Sequence, residues 1–445
     1  MSLIVGIPAL IALYVCARKG ASDAFLNVYL PVLFLLPDAF RWSLTGHLTF
    51  HESAVLPIAI FYLLSSWREW RWSVTDFLVA AMVGIMIVAE FINSDLHEAR
   101  NVALHAFLTL ICPYLLAKGL LRREGLWVGV SRRMAMMLAI VALDGIFELA
   151  TGMNPFVDLL AGFFPGHPYE PDHVRFGLTR TTGPYAHAIL AGIMLAAGYR
   201  FARWLDWNNL WPGAIKYLTI SKARLCEGLI VLGSILTLSR GPWIAAGLAA
   251  LVVNLSRTLN RRRAFVLAGI ILVISVAPVY YASISYISIS PARSATEMQE
   301  SAAYRYKMLE SYASVVQQHP IWGWGRAGFP RRGYLTSIDN HYLLLALSYG
   351  VPVAALLPVI VLWSSVRLFA RAIRMPRDDP ATSLMLTLLG VELIIAFSIT
   401  LAWLGAQTEP FLFLVFGWSE SLLQERRDAA ASMGLSVEHS VVGTH

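Results

Sequence analysis

Residues 226–256 read CEGLIVLGSILTLSRGPWIAAGLAALVVNLS, an apolar stretch with only two charged side chains. The stretch is too long for one membrane crossing, which needs about 20 residues. Ser239-Arg240-Gly241-Pro242 lies in its middle, and glycine and proline beside a charge are typical of a tight turn between helices. The stretch therefore predicts two membrane helices, 226–239 and 241–256, with Arg240 at the turn that joins them.

The composition of the whole chain also indicates that much of it lies in a lipid bilayer. Of 445 residues, 57% are hydrophobic and 14% are charged, whereas soluble domains average roughly 45–50% and 25%. The mean hydropathy is +0.60, which leaves too much apolar surface for a water-soluble fold. The three cysteines lie far apart, without the spacing of a zinc site or a disulfide framework. These features exclude an arrangement of soluble domains and predict a polytopic membrane protein.

The apolar stretches between charge clusters predict an all-α fold with 11–13 transmembrane helices. We expect one transmembrane domain, residues 1–425, and a cytoplasmic tail, 426–445, that is disordered. The longest connection, 284–349, is expected to contain short helices and to carry the site, because loops of this length are usually functional. The candidate spans are about 2–16, 25–40, 54–66, 74–92, 102–121, 134–151, 185–199, 226–239, 241–256, 264–283, 350–370, 381–402 and 410–424.

The distribution of basic residues predicts the orientation. Of the 35 lysines and arginines, 24 fall in one set of alternate loops, which the positive-inside rule places in the cytoplasm. The net charge of +7 therefore indicates membrane topology, and we expect no nucleic-acid partner. The loop 284–349 then lies on the outer face. That face carries Arg41, Arg100, Arg175, Arg180, Arg240, Arg293, Arg305, Lys307, Arg326, Arg331 and Arg332.

Four of the outer arginines are candidate substrate ligands: Arg180, Arg240, Arg305 and Arg326. The planar guanidinium group binds phosphate oxygens with two parallel hydrogen bonds and keeps its charge. The alternative is that these arginines pair with acidic loop residues or with lipid phosphates at the interface. Arg240 favours an anionic ligand most strongly, because a charge between two tightly turned spans needs a partner.

The outer loop contains one predicted surface helix, 301–318. Its residues Tyr304, Met308, Tyr312 and Val315 form one apolar stripe at helical spacing, which we expect to lie along the membrane surface. The following residues, 319–325, include two tryptophans at an aromatic turn. These tryptophans fit either an interfacial aromatic belt or a surface that stacks on a sugar ring.

Asp339, Asn340, His341 and Tyr342 are consecutive at the outer membrane boundary. Histidine there can take a proton from a hydroxyl group near neutral pH, and an adjacent acid can orient the ring. His341 and Asp339 are therefore candidate catalytic residues, with Asn340 and Tyr342 as candidate substrate ligands. The alternative is that Asp339 or Asn340 caps the following helix.

Five acidic residues lie within the predicted spans: Asp38, Glu90, Asp144, Glu148 and Glu392. Acids inside a membrane mark ion pathways or pair with buried arginines. Their scatter along the chain favours structural ion pairs over a proton relay.

Taken together, Leu238-Ser239-Arg240-Gly241-Pro242-Trp243, Arg305, residues 319–325 and Asp339 to Leu343 resemble the O-antigen ligase and polymerase superfamily. The resemblance covers about residues 175–365. It implies a membrane glycosyltransferase that uses undecaprenyl-diphosphate-linked glycans on the periplasmic side of a bacterial inner membrane, without a metal or other cofactor. It also implies that Arg180 and Arg240 grip the lipid diphosphate.

The sequence departs from the superfamily at the expected base. Alignment on Tyr342-Leu343 places Asp339 where many members have histidine, and the histidine of this chain is displaced to His341. Both residues therefore remain candidates for the base, with His341 ahead. The Asp-Asn-x-Tyr-Leu form is more similar to polysaccharide polymerases than to ligases.

Three functions follow from these features. The first is a polymerase that joins lipid-linked repeat units, acting with the bilayer, a glycan donor and a glycan acceptor, and with chain-length regulator and flippase proteins as further partners. The second is transfer within the same superfamily to lipid A core, as in O-antigen ligases, or to protein. The third, from another class, is a proton-coupled transporter or lipid-linked sugar flippase, which would depend on the intramembrane acids.

Overall fold

The computed structural model describes residues 3–42, 48–66, 70–122, 124–164, 174–175, 177–215, 218–256, 258, 297–333, 335, 337–405 and 407–442. The predicted span 264–283 and the first part of the long loop lie outside these residues.

Helices make up nearly all of the regular structure in the described residues. They are α1 Ile7–Lys19, α2 Ala21–Leu35, α3 Phe50–Ser66, α4 Val74–Asn93, α5 Leu96–Leu120, α6 Glu124–Thr151, α7 Pro155–Ala161, α8 Ala188–Trp207, α9 Lys222–Leu236, α10 Arg240–Ser256, α11 Glu297–Gln318, α12 His341–Tyr349, α13 Val351–Ala372, α14 Pro380–Ser398 and α15 Thr408–Val442. The strands form two short antiparallel hairpins, β1 Val174–Arg175 with β2 Leu178–Thr179, and β3 Ala214–Ile215 with β4 Leu218–Ser221.

Six of the described helices are long and apolar enough to cross a membrane: α4, α5, α6, α8, α13 and α14. The helices α2 and α3 are apolar but shorter. The expectation of an all-α, polytopic membrane protein is confirmed.

Polar caps begin the first two of the long helices. Ser73 and Asp76 form a capping box at the start of α4, and 20 residues at about 1.5 Å rise span the hydrocarbon core. Asp95 is the N-cap of α5, and its carboxylate accepts a hydrogen bond from the Glu98 backbone nitrogen at 2.8 Å. The helix boundaries near residue 94 thus follow from short polar residues in the sequence.

The stretch 226–256 forms the predicted helical hairpin. α9 ends at Leu236 and α10 begins at Arg240, so three residues make the turn. Leu238 adopts a φ of +49° there, a conformation that L-residues rarely adopt and that tight turns impose. The predicted turn position is confirmed.

The predicted surface helix 301–318 is part of α11. Met308, Tyr312 and Val315 are buried against residues of the α12 region, including Leu343 and Leu347. The predicted apolar stripe is confirmed, but it packs α11 onto the α12 region of the protein instead of lying along the membrane surface.

Close contacts between small residues bring the long helices together. At Gly417 of α15, an added Cβ atom would lie 2.2 Å from the backbone oxygen of Tyr114 in α5. Because lipid tails are as apolar as leucine, membrane helices associate through such close packing more than through hydrophobic burial.

Two charged pairs are buried between helices at one end of the bundle. Lys118 contacts Asp76 at 2.6 Å, and Arg367 pairs with Glu420. Both cations lie within helices, Lys118 in α5 and Arg367 in α13. The carboxylate partners offset the cost of burying these cations.

The last helix is continuous to Val442. It therefore runs through most of residues 426–445, the tail that the sequence predicts to be disordered.

We expect Gly417→Ala to lower the free energy of unfolding by about 1–3 kcal/mol, because the α5 backbone has to move away from the new methyl group. Thermal unfolding of the purified protein in detergent measures the change. Gly247→Ala in α10 is the matched control, since nothing lies within 4 Å of a Cβ atom there. Equal melting temperatures for the two variants would contradict the proposed contact.

Candidate active site

The turn between α9 and α10 rests on the first residues of α8. The Ser239 hydroxyl donates a hydrogen bond to the Ala188 backbone oxygen at 3.0 Å. Gly192 permits this approach, because a Cβ atom there would lie 3.1 Å from Pro242 and 3.2 Å from Ser239. The close packing fixes Arg240 as the first residue of α10, where its side chain is half-buried.

Arg180 joins the segment before α8 to the same turn. Its Nε donates to the Thr237 backbone oxygen at 3.1 Å, and its Nη2 donates to the Ser239 hydroxyl at 2.8 Å. Burial lowers the pKa of Arg180 to about 10, with smaller contributions from Arg175 and Arg305. The guanidinium group still carries its charge at neutral pH.

Glu148 holds the loop that follows Arg180. Its carboxylate accepts hydrogen bonds from the backbone nitrogens of Thr182 at 3.0 Å and Gly183 at 3.2 Å. Asn154 adds a bond from its amide nitrogen to the Gly183 backbone oxygen at 2.8 Å. Gly183 has a φ of +56°, which glycine adopts without strain. Glu148 therefore positions the segment that carries Arg180.

Three arginines line one cavity of about 410 Å³: Arg175, Arg240 and Arg305. Among the described residues of its lining, no side chain is acidic. The first turn of α10 also lines the cavity, and a helix N-terminus favours anions. We call this space the arginine cavity. Its other lining residues are Ile189, Ser239, Gly241, Pro242, Ile244, Ala302 and Leu401.

Asp339 interacts electrostatically with Arg305, which lines the arginine cavity. Burial lowers the pKa of Arg305, and the negative charge of Asp339 opposes that change. The Asp339 carboxylate accepts a hydrogen bond from the Ser337 hydroxyl at 2.5 Å, and its side chain is partly exposed. The structure thus brings Asp339, Arg305, Arg240 and Arg180 into one region.

Asn340 caps α12, as one of the two sequence interpretations predicted. Its side-chain oxygen accepts from the Leu343 backbone nitrogen at 2.9 Å, and its amide nitrogen donates to the Thr400 backbone oxygen at 3.1 Å. Since Leu401 lines the arginine cavity, the turn at 399–402 connects the α12 N-terminus with that cavity. Both polar atoms of the Asn340 side chain therefore have structural partners.

His341 points into the protein. Its side chain is buried, and its Nδ1 has no hydrogen-bond partner among the described residues. Burial lowers the pKa of His341 to about 4, although the charge of Glu409 opposes the shift. The imidazole is therefore neutral at pH 7 but shielded from solvent, whereas Asp339 is accessible. Tyr342 is also turned to the helices, because its hydroxyl donates to the Ala396 backbone oxygen at 3.1 Å.

Arg326 lies outside the lining of the arginine cavity. Its backbone nitrogen donates to Glu90 at 2.8 Å, its side chain is exposed, and its charge acts on Tyr349 and Glu409. Trp324 is held by its own contact, since its indole nitrogen donates to the Val315 backbone oxygen at 3.1 Å. This part of the loop packs on α4 and α12.

Arg175 is one of the outer basic residues but was not among the four candidate substrate ligands. In the structure its Nη1 donates to the Leu238 backbone oxygen at 2.8 Å, and its side chain lines the arginine cavity. Its short distance in sequence from Arg180 was a signal that the pair acts together. Ser239 and Glu148 were missed as positioning residues, because their partners are distant in sequence.

The acid deepest between the long helices, Glu392, has partners that indicate a structural role. It accepts hydrogen bonds from the hydroxyls of Ser364, Ser365 and Ser419 at 2.6, 2.7 and 3.0 Å. Glu148 likewise accepts hydrogen bonds from backbone nitrogens, which favours structural roles over a proton relay. The described partners of Glu392 are hydroxyl groups rather than the basic residues of the expected ion pairs.

Residues 228–358 match the family described as O-Antigen ligase. The matched segment contains Arg240, Arg305 and residues 339–342, and it supports the assignment to the O-antigen ligase and polymerase superfamily. Members of this family are membrane glycosyltransferase-like enzymes with lipid-linked glycan substrates. No curated protein matches the chain.

The lowered pKa of His341 predicts a loss of stability in acid. The unfolded state binds a proton near pH 6.5, whereas folded His341 does so only near pH 4. The native state therefore loses up to roughly 3 kcal/mol as the pH falls between these values. We expect His341→Gln to remove this part of the acid sensitivity, measured by thermal unfolding from pH 7 to pH 4. Parallel curves for the variant and the wild type would contradict the burial of a neutral imidazole.

Proposed function

We propose that this member of the O-antigen ligase and polymerase superfamily is a polymerase-type glycosyltransferase. It joins undecaprenyl-diphosphate-linked repeat units into O-antigen or exopolysaccharide at the periplasmic face of the bacterial inner membrane. The observation that carries the proposal is the arginine cavity with Asp339 at its side. It offers concentrated positive charge for a diphosphate and an accessible carboxylate for a hydroxyl proton.

The arginines account for activation of the leaving group. A polyprenyl diphosphate gains negative charge as the bond to the sugar breaks, and fixed cations stabilise that charge in the transition state. Arg240 and Arg305 face the cavity, while Arg180 holds Ser239 in its wall. Bidentate hydrogen bonds from guanidinium groups suit the phosphate oxygens, so the proposed reaction requires no metal.

The surface of α10 next to the cavity fits the lipid part of such a donor. Ile244 lines the cavity, and Ile244, Leu248 and Leu251 are exposed along one face of α10. Residues at this spacing form a continuous apolar stripe. We propose that the polyprenyl chain lies along this stripe while its diphosphate occupies the arginine cavity.

Transfer requires one displacement. The acceptor hydroxyl oxygen bonds to the anomeric carbon of the donor, and the bond from that carbon to the diphosphate oxygen breaks. The bonding electron pair leaves with the diphosphate, and the hydroxyl proton passes to the base. A single displacement inverts the anomeric configuration.

We propose Asp339 as the base and His341 as a positioning residue. Asp339 is partly exposed and near Arg305, whereas His341 is buried and its backbone nitrogen is bonded to the Ile399 backbone oxygen at 2.9 Å. The sequence favoured His341 over Asp339 as the base, and this assignment reverses that order. It rests on accessibility, because a base has to come within hydrogen-bond distance of the proton that it removes.

The second candidate function is O-antigen ligase activity, which transfers the lipid-linked glycan to lipid A core. The description of the matching family favours it. The arginine cavity serves both reactions equally, since both release the same diphosphate. The acceptor distinguishes them, together with the chain-length regulator and flippase proteins that a polymerase works with.

Deletion of the gene in the source bacterium tests the proposal. We expect surface glycans of a single repeat unit in the deletion strain and full-length glycans after complementation with the wild type. Arg240→Lys should fail to restore polymerisation, because lysine loses the bidentate geometry. Arg331→Lys, an exposed outer residue that does not line the arginine cavity, is the matched control and should restore it. Lipid-linked polymer that never reaches the core would instead identify a ligase.

We expect Asp339→Asn to lower the transfer rate by about 10²–10⁴-fold, the usual contribution of a general base. Asparagine keeps the shape of the side chain and its bond to Ser337, and Asp339→Glu should restore part of the rate. His341→Gln should lose less than about tenfold, since a positioning residue acts indirectly. Transfer is measured in detergent with purified lipid-linked donor. A larger loss for His341→Gln than for Asp339→Asn, in protein that elutes as folded, would identify His341 as the base.

A further inference from the structure

A second cavity with arginines lies on the face of α6, far along the chain from the proposed active site. Its volume is about 300 Å³, and it is lined by Gly129, Arg132, Arg133, Met136 and Trp211. The four α6 residues follow at helical spacing and share one face. Trp211 comes from the segment after α8. We call this space the α6 cavity.

The arginines of the α6 cavity bond to neutral oxygens. Arg132 donates from Nε to the Leu210 backbone oxygen at 3.2 Å, and Arg133 donates from Nη2 to the Asn27 side-chain oxygen at 2.5 Å. Asn27 in turn donates to the backbone and side-chain oxygens of Asp23 at 3.0 and 3.4 Å. The neutral amide of Asn27 thus stands between Arg133 and Asp23. Each guanidinium group has five N–H donors, so these bonds leave donors for an anion.

The depth of the α6 cavity suits a lipid headgroup. Arg132 lies eight residues after the start of α6 at Glu124, which corresponds to about 12 Å along the helix. Arginine side chains at this depth extend towards the headgroup region. Tryptophan concentrates at the same interface. The basic residues on this side of the bundle are those that the positive-inside rule assigns to the cytoplasm.

The walls of the α6 cavity are apolar apart from the arginines. Met136 and Trp211 provide apolar surface, and Gly129 provides space because it has no side chain. A Cβ atom at Gly129 would meet only Leu26, at 3.7 Å, so a larger side chain there would extend into open space. The cavity therefore combines two fixed positive charges with an apolar wall.

We propose that the α6 cavity binds one anionic glycerophospholipid of the bilayer. The phosphodiester bonds to Arg132 and Arg133, and the first part of an acyl chain packs on Met136 and Trp211. Basic pockets between transmembrane helices on the cytoplasmic side are typical sites for anionic lipid headgroups. The ligand is distinct from the lipid-linked glycan, because the residues of the arginine cavity belong to the opposite, outer set of basic residues.

Native mass spectrometry of the full-length protein in detergent tests the proposal. The probes are phosphatidylglycerol, phosphatidylcholine and inorganic phosphate. We expect the protein to retain phosphatidylglycerol at least several-fold more than phosphatidylcholine, and inorganic phosphate at millimolar concentration not to displace it. Equal retention of the two lipids would overturn the proposal. Displacement by inorganic phosphate would identify a general anion site and would also overturn it.

Two double variants test whether the lipid binds in the α6 cavity. Arg132→Gln combined with Arg133→Gln should abolish the preference for phosphatidylglycerol. Arg371→Gln combined with Arg374→Gln removes the same charge from the same predicted face and should leave the preference unchanged. Loss of the preference in both double variants would indicate attraction by net charge alone and would contradict a defined site.

Gly129→Leu provides an independent test, because it fills the α6 cavity and leaves both arginines in place. We expect it to lower phosphatidylglycerol retention to the level of phosphatidylcholine. Since this variant keeps every charge, it decides the question even if the arginine variants fail to fold. Unchanged retention in Gly129→Leu would show that the lipid binds elsewhere.

Discussion

Arg180 holds together two segments that are nearly 60 residues apart in sequence, and the arginine cavity depends on this contact. Its two hydrogen bonds to Thr237 and Ser239 fasten the loop before α8 to the turn between α9 and α10. The Ser239 hydroxyl extends the contact to the backbone of Ala188. The turn is thereby fixed against α8, and Arg240 begins α10 at the cavity wall. A guanidinium group suits this task because its planar donors bond in several directions at once.

The same arrangement concentrates positive charge beside apolar side chains, and like charges repel one another in such a setting. Burial and the neighbouring cations lower the pKa of Arg180, so the folded chain tolerates repulsion between guanidinium groups. Backbone carbonyls at Thr237 and Leu238 stabilise two of them. The diphosphate that we propose as ligand would relieve the repulsion between these cations.

Several polar groups between the described helices have matched partners. Asp76 pairs with Lys118, Glu420 with Arg367, and Glu392 with three serine hydroxyls. In a bilayer, no water compensates an unmatched group, so such pairing is a condition of stability. The described bonds of Arg132, Arg133 and Arg180 instead go to carbonyl, amide and hydroxyl oxygens.

The amino-acid sequence by itself determined the membrane-helical fold, the turn at Arg240, the surface helix with its stripe at Tyr312, and the cap at Asn340. All of these depend on local spacing, on hydrophobic periodicity, or on the preferences of glycine, proline and capping residues. The tertiary structure alone decided that Arg175 joins the cavity and that Arg326 does not. It also decided that His341 points inward while Asp339, two residues earlier, remains accessible. Neighbouring residues at a helix start point in different directions, and the direction that becomes buried depends on which distant segment packs there. Here that segment is the turn at 399–402, whose position no local pattern encodes.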